Sequence, residues 1–318
     1  IFVFLIPYTA SLYNGLSSLF NNVFDIDYWV VVVIMAVLTG IYVIFGGYMA
    51  TAINDFIQGI IMLVGIVAVI LAVLNDNGGL SQAVNSLSET AGKEYTSLFG
   101  PNPVFLFFVV MLTSLGTWGL PQMVGKFYSI KDDGAVKKGT IISTVFAVIV
   151  AGGCYFLGGF GKLYQEEVML TAVSENGKLM YDGIIPIMLS KLPSVIIAVV
   201  IVLVLSASMS TLSSLVLTSS STLTLDVIKP KVAKKKEFTE KKSVFVMRLL
   251  IVFFIALSAV IAILKDTIWK DSAFIAQMMG VSWGALAGAF LAPFIYGLFW
   301  KKGTRAAVAS CFVFGTGI

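Results

Sequence analysis

From residue 28 to residue 48 the chain runs through Trp29, four consecutive valines and on to Gly46-Gly47-Tyr48 without one charged side chain, and comparable runs recur to its end. An α-helix needs about 20 predominantly apolar residues to cross about 30 Å of hydrocarbon. Nine stretches of that kind are predicted, at 1–20, 28–48, 54–74, 103–127, 140–160, 193–225, 244–264, 274–300 and 304–318, the last cut short. They are much longer than barrel strands and lack strand alternation. Only 12% of the 318 residues are charged and mean hydropathy is +0.97. Soluble domains carry about 25% charged residues, so the missing charges belong to segments that never meet water. The expected class is an all-α, polytopic helical membrane protein with a single transmembrane domain over 1–318.

Lys and Arg close to the membrane stay on the cytoplasmic side. Fifteen of the 21 basic residues fall in alternate loops, grouped at 126–139, in and just after 226–243, and at 301–305, whereas eleven of the 17 acidic residues fall on the other side. The basic loops are therefore expected to be cytoplasmic and the first helix to run outward. The Lys229 to Lys242 stretch lies between two spans and lacks interleaved aromatics, so it reads as a topology signal and no nucleic-acid partner is expected.

Several chemistries are disfavoured by composition. The chain has no His, which removes imidazole as base, relay or metal ligand. Cys154 and Cys311 sit in apolar runs and form no CxxC. Hydroxyls abound, but no triad or carboxylate pair presents itself, so no enzymatic activity is expected. The chain starts and stops inside apolar runs without an initiator Met, which reads as an internal segment of a longer protein.

In lipid, a polar residue within a span must face the bundle or a water-filled path. Three places stand out. Between Ser206 and Thr224 there are twelve hydroxyls. Small residues allow close helix packing, which is one reading. The other is that Ser210 and Thr211, one turn beyond the Ala207 carbonyl, gather neutral oxygens suited to Na+. The fourth span has Gly116-Thr117-Trp118-Gly119-Leu120-Pro121 at its centre, and two glycines with a proline predict a kink or a break near mid-membrane. A break exposes carbonyls beside which Thr117 or Trp118 could contact a small polar substrate. Asp55 falls at the predicted start of the third span, where it either caps the helix or attracts a cation passing to the cytoplasm.

Three segments together resemble the sodium/solute symporter family: Gly46-Gly47-Tyr-Met-Ala-Thr-Ala-Ile-Asn54-Asp55-Phe-Ile-Gln58, Trp118-Gly-Leu-Pro121-Gln122 with Lys131-Asp132 after it, and Ala207-Ser-Met-Ser210-Thr211-Leu-Ser-Ser214. Order and spacing agree over nearly all of the chain. Ser210-Thr211-Leu-Ser and Gly-Leu-Pro-Gln resemble the proline and pantothenate branch more than the sugar branch, which would favour Asn where this chain has Pro121.

The resemblance implies a five-plus-five inverted-repeat (LeuT-like) bundle, with solute and ion near the midplane and alternating access. It implies that the Ala207 carbonyl, Ser210 and Thr211 form half of a sodium site, that Asp55 serves sodium passage, and that Thr117, Trp118 and Pro121 lie on the solute side. In that register the first two core helices, which supply the other half of the site, are missing from this sequence, so the chain alone is not expected to transport. The expected function is sodium-coupled import of a small polar organic solute, an amino acid such as proline or a carboxylate such as pantothenate, across the cell membrane. Na+, the solute and the bilayer are the expected partners, with no obligate protein partner. A symporter-like sensor domain, a sodium/sugar symporter and a channel are the alternatives.

Overall fold

The computed structural model describes residues 1–127, 130–166, 181–233, 239–267 and 275–317, and among these every regular element is helical. The principal helices are α1 (Phe2–Phe24), α2 (Tyr28–Asp76), α3 (Leu80–Ala91), α4 (Pro103–Ser114), α5 (Pro121–Phe127), α6 (Asp133–Gly159), α7 (Ile184–Ser190), α8 (Ser194–Thr222), α9 (Glu240–Thr267), α10 (Ile275–Phe299) and α11 (Arg305–Gly317). Lys234 to Lys236, within the basic loop 226–243, and residues 128 and 129 of the loop 126–139 lie outside the described residues, as do positions 274 and 318 of the last two predicted spans.

Six helical segments are each long and apolar enough to cross a membrane, and the bent pair Pro103–Gly119 with Pro121–Phe127 makes a seventh. The protein is an all-α, multi-pass membrane protein. α11, with 13 residues, and α1 fall outside that measure. The reason for α1 lies in its position. It packs against α2, α8, α9 and α10, and its Thr9, Ser11, Asn14 and Ser17 are buried. Thr9 donates to the Leu5 carbonyl at 2.9 Å and Ser11 to the Tyr8 carbonyl at 2.7 Å, so these hydroxyls are satisfied on their own helix. Leu5, Ile6 and Tyr8 join Leu215, Val216, Ile251, Phe254 and Leu286 in one cluster, and Tyr13 and Leu16 join Val32 and Leu212 in another.

α2 holds two predicted spans, two helical segments joined across a kink at Gly47, where φ is 59° and ψ is −164°. That region is essentially restricted to glycine. The helix resumes by Met49, so Asp55 lies inside it and the capping reading is set aside. Gly47, two turns upstream, supplies the break instead.

The fourth span breaks where its glycines and proline predict. α4 ends at Ser114, a 3₁₀ turn covers Gly116–Gly119, Leu120 is extended, and α5 leaves at 51° to the first part. The break is held against α10. Gly116 faces Ala287, and a Cβ on Gly119 would lie 2.7 Å from the Leu291 backbone nitrogen. α10 in turn meets α11 at Gly288 and Gly315, where a Cβ on Gly288 would stand 2.6 Å from the Gly315 carbonyl oxygen. Small residues permit this approach.

Candidate functional site

Among the described residues the most extensive helix–helix contact is between α2 and α8, and the α8 hydroxyls fall into two sets by burial. Ser206, Ser208, Ser213, Ser219 and Ser220 are buried. Ala207, Ser210, Thr211, Ser214, Thr218 and Ser221 are half-buried, and they recur at the three- and four-residue spacing of one helical face. A single hydroxyl-bearing stripe therefore runs down α8.

At the upper part of the stripe, Thr211 Oγ1 donates to the Ala207 carbonyl at 2.9 Å, which places two of the three predicted sodium ligands side by side. Ser210 is on the same face, and its carbonyl accepts from Ser213 Oγ at 2.8 Å. On the adjacent turn, Tyr42 of α2 donates to the Met209 carbonyl at 2.6 Å, bracing α8 against the first half of α2. All of these oxygens are neutral, and a hydroxyl that rotates away from its carbonyl offers a lone pair.

The lower part of the stripe lines a cavity of about 440 Å³ between α2, α5 and α8. Ser214, Thr218 and Ser221 form one wall, Thr51 and Asp55 a second, and Gln122 and Lys126 a third. Lys126 Nζ lies 3.5 Å from Asp55 Oδ2. Asp55 Oδ1 and Gln122 Oε1 are buried acceptors that lack a hydrogen-bond partner among the described residues. A buried acceptor without a donor is costly, and a cation or water satisfies it.

The predicted residues are thus divided. Asp55 lies on the cavity, Ala207, Ser210 and Thr211 lie above it on the face that leads into it, and Thr117, Trp118 and Pro121 lie at the break and are not part of its walls. Thr117 Oγ1 donates to the Ser114 carbonyl at 2.8 Å, and Trp118 is 56% exposed. The sequence reading passed over Lys126 and Gln122. Their spacing of four residues after Pro121 is visible in the sequence and puts both on one face of α5.

A second polar cluster lies outside the spans. Both carboxylate oxygens of Asp182 are 3.1 Å from the Ile275 backbone N–H, and Lys265 Nζ is 3.8 Å from Oδ2. Burial pushes the Asp182 carboxyl above its ordinary range, partly offset by the Ile275 N–H and the Lys265 charge.

Comparison with known proteins gives concordant findings. A model of the sodium:solute symporter family matches residues 1–315. A sodium/proline symporter of Staphylococcus aureus is 28% identical over 99% of this chain and 59% of its own length. A sodium/pantothenate symporter of Escherichia coli strain K12 is 27% identical over 95% of this chain and 60% of its own. The chain thus spans about three-fifths of the length of these curated relatives. A substrate-bound, outward-open structure of a Na+-coupled sialic acid symporter superposes with a TM-score of 0.74 at 19% identity, covering 96% of this chain and 63% of that one. At that identity the superposition shows a shared fold.

Proposed function

Because the chain belongs to the sodium:solute symporter family, we propose that it serves sodium-coupled import of a small polar organic solute, an amino acid such as proline or a carboxylate such as pantothenate. The branch follows from the relatives, which are sodium/proline and sodium/pantothenate symporters. The observation that carries the reading is the half-buried stripe of α8, which joins Ala207, Ser210 and Thr211 to the cavity at Asp55.

In this proposal sodium is held by the Ala207 carbonyl and the Ser210 and Thr211 hydroxyls, with the remaining ligands outside this set. It leaves along Ser214, Thr218 and Ser221 toward Asp55. In the same proposal Thr117, Trp118 and Pro121, beside the break at Gly116 to Pro121, face the solute. The protein sits in the cell membrane with the loops 126–139, 226–243 and 301–305 in the cytoplasm, so that the Asp55 cavity faces inward. One charge falling through 100 mV yields about 2.3 kcal/mol. A tenfold sodium gradient adds about 1.4 kcal/mol, and the sum supports a solute gradient of about five-hundredfold per ion.

The test is uptake of labelled proline, pantothenate, other amino acids, carboxylates and sugars into proteoliposomes containing the full-length polypeptide, with and without an inward sodium gradient. Sodium-dependent accumulation of one compound supports the reading. Sodium-dependent thermal stabilisation without accumulation of any compound would move the assignment to a sensor.

A further inference from the structure

A second cavity, of about 850 Å³, opens where α10 turns into α11. It lies within the range of about 300–1,000 Å³ that small-molecule sites occupy. Its rim is basic. Lys301, Lys302 and Arg305 line it, and none of the lining residues is acidic. The three cations form no ion pair among the described residues, and Lys301, Lys302 and Arg305 are all exposed.

The frame of this rim is well defined. Trp300 N–H donates to the Tyr296 carbonyl at 2.8 Å, Gly303 N–H to the Trp300 carbonyl at 3.3 Å, and Ala307 N–H to Thr304 Oγ1 at 3.2 Å. Tyr296 and Trp300 meet edge to face with centroids 5.8 Å apart. Both rings line the cavity below the cations, and Pro293 and Val308 continue it toward the apolar part of the two helices. The order from the turn inward is therefore cation, amphipathic aromatic, aliphatic. A phospholipid presents the same order in reverse charge, as phosphate, glycerol ester and acyl chain. Tyr and Trp concentrate at the headgroup level, and basic pockets between membrane helices hold anionic headgroups.

We propose that this cavity is a binding site for an anionic phospholipid, with its phosphate on Lys301, Lys302 and Arg305, its ester region against Tyr296 and Trp300, and its chains beside Pro293 and Val308. The site is separate from the sodium path and does not depend on the transport reading. A neutral phosphatidylcholine carries a choline cation that the basic rim repels, whereas phosphatidylglycerol presents its phosphate without one.

The experiment reconstitutes the protein in nanodiscs of phosphatidylcholine containing brominated phosphatidylglycerol or brominated phosphatidylcholine. The quenching assigned to Trp300 is the difference between the protein and its Trp300→Phe variant. Brominated phosphatidylglycerol should quench Trp300 at lower mole fraction than brominated phosphatidylcholine, and each of Lys301→Gln, Lys302→Gln and Arg305→Gln should weaken that preference about fivefold. The charge-preserving pair Lys301→Arg and Lys302→Arg should retain it, which separates lost binding from lost structure. Equal quenching by the two lipids, or a preference that persists in the triple Gln variant, overturns the proposal. So does an equal loss in a Lys137→Gln, Lys138→Gln variant, which would assign the preference to general surface charge. Displacement by millimolar inorganic phosphate would show a site for free phosphate instead of a lipid.

Discussion

Lys126 on α5 places its ammonium 3.5 Å from Oδ2 of Asp55 on α2, and the two side chains close one corner of the 440 Å³ cavity. Seventy-one positions separate them in sequence, and the 51° bend after Gly119 is what turns α5 toward α2. The lysine therefore occupies a position that a mobile cation leaving the protein would also favour.

If Lys126 competes with sodium for Asp55, Lys126→Gln should lower the half-saturating sodium concentration about fivefold, equivalent to ~1 kcal/mol for a partly exposed pair. Asp55→Asn should do the reverse. A sodium titration of uptake, or of thermal stability in detergent, reads both. An unchanged midpoint in Lys126→Gln would show that the pair is structural.

Thr211→Val keeps the volume of the side chain and removes the hydroxyl that donates to the Ala207 carbonyl. One neutral ligand oxygen is worth about 1–2 kcal/mol. The sodium requirement should rise roughly tenfold in Thr211→Val and in Ser210→Ala, with detergent-extracted yield and melting temperature nearly unchanged. Unaltered sodium dependence in both variants would falsify the ion-site assignment.

Two glycines should fail to tolerate a methyl group for different reasons. At Gly47 nothing lies within 4 Å of the added Cβ, so the cost of Gly47→Ala is backbone strain alone, about 1–3 kcal/mol. At Gly119 the methyl meets the Leu291 backbone at 2.7 Å, and Gly119→Ala should cost about 1–3 kcal/mol by overpacking. Leu291→Ala, which removes side-chain volume only, should not rescue Gly119→Ala, because the nearest obstacle is the Leu291 nitrogen. Thermal unfolding in detergent checks all three.

Asp182 and Lys265 are 18% and 14% exposed, so removing one partner leaves the other poorly hydrated. Lys265→Met should destabilise by about 1–3 kcal/mol. Asp182→Asn should be milder, since an amide oxygen still accepts from the Ile275 N–H and the desolvated charge is gone. The carboxyl is held above its reference value of 3.8, so the folded protein retains a proton that the unfolded chain has released. Its contribution to stability is fully present below about pH 4 and is lost as pH rises through the higher folded value. That slope should vanish in Asp182→Asn, as measured by melting temperature against pH.

The membrane-spanning character of the chain was legible because length and apolarity are local properties, and the break at Gly116 to Pro121 because glycine and proline act on their own backbone. The fold class and the family resemblance rested on the same local signals. The interior position of Asp55 was not legible. It depends on Gly47 adopting a positive φ, and nothing in Gly46-Gly47 distinguishes that from an ordinary pair of helical glycines. The pattern of α8 was legible as an excess of hydroxyls, but not as two populations. Tertiary packing around α8 leaves Ser213 and Ser220 sealed and Ser214 and Ser221 half-buried. Lys126 escaped notice because its significance is its partner, and pairing across a bend is a tertiary fact. The same holds for Asp182, in the short turn at Tyr181–Gly183, and Lys265, near the end of α9.

Two hydroxyls of the half-buried face of α8 have a further consequence through the bonds they make to their own backbone. Thr211 donates to the Ala207 carbonyl and Ser221 to the Thr218 carbonyl, each over a single helical turn. On the proposed sodium path these two hydroxyls would turn outward to meet the ion and fall back on their own backbone once it has gone. Such a surface leaves no unpaired hydroxyl behind a departing ion. If sodium follows this face as proposed, the face serves as a smooth track whose rungs reset themselves.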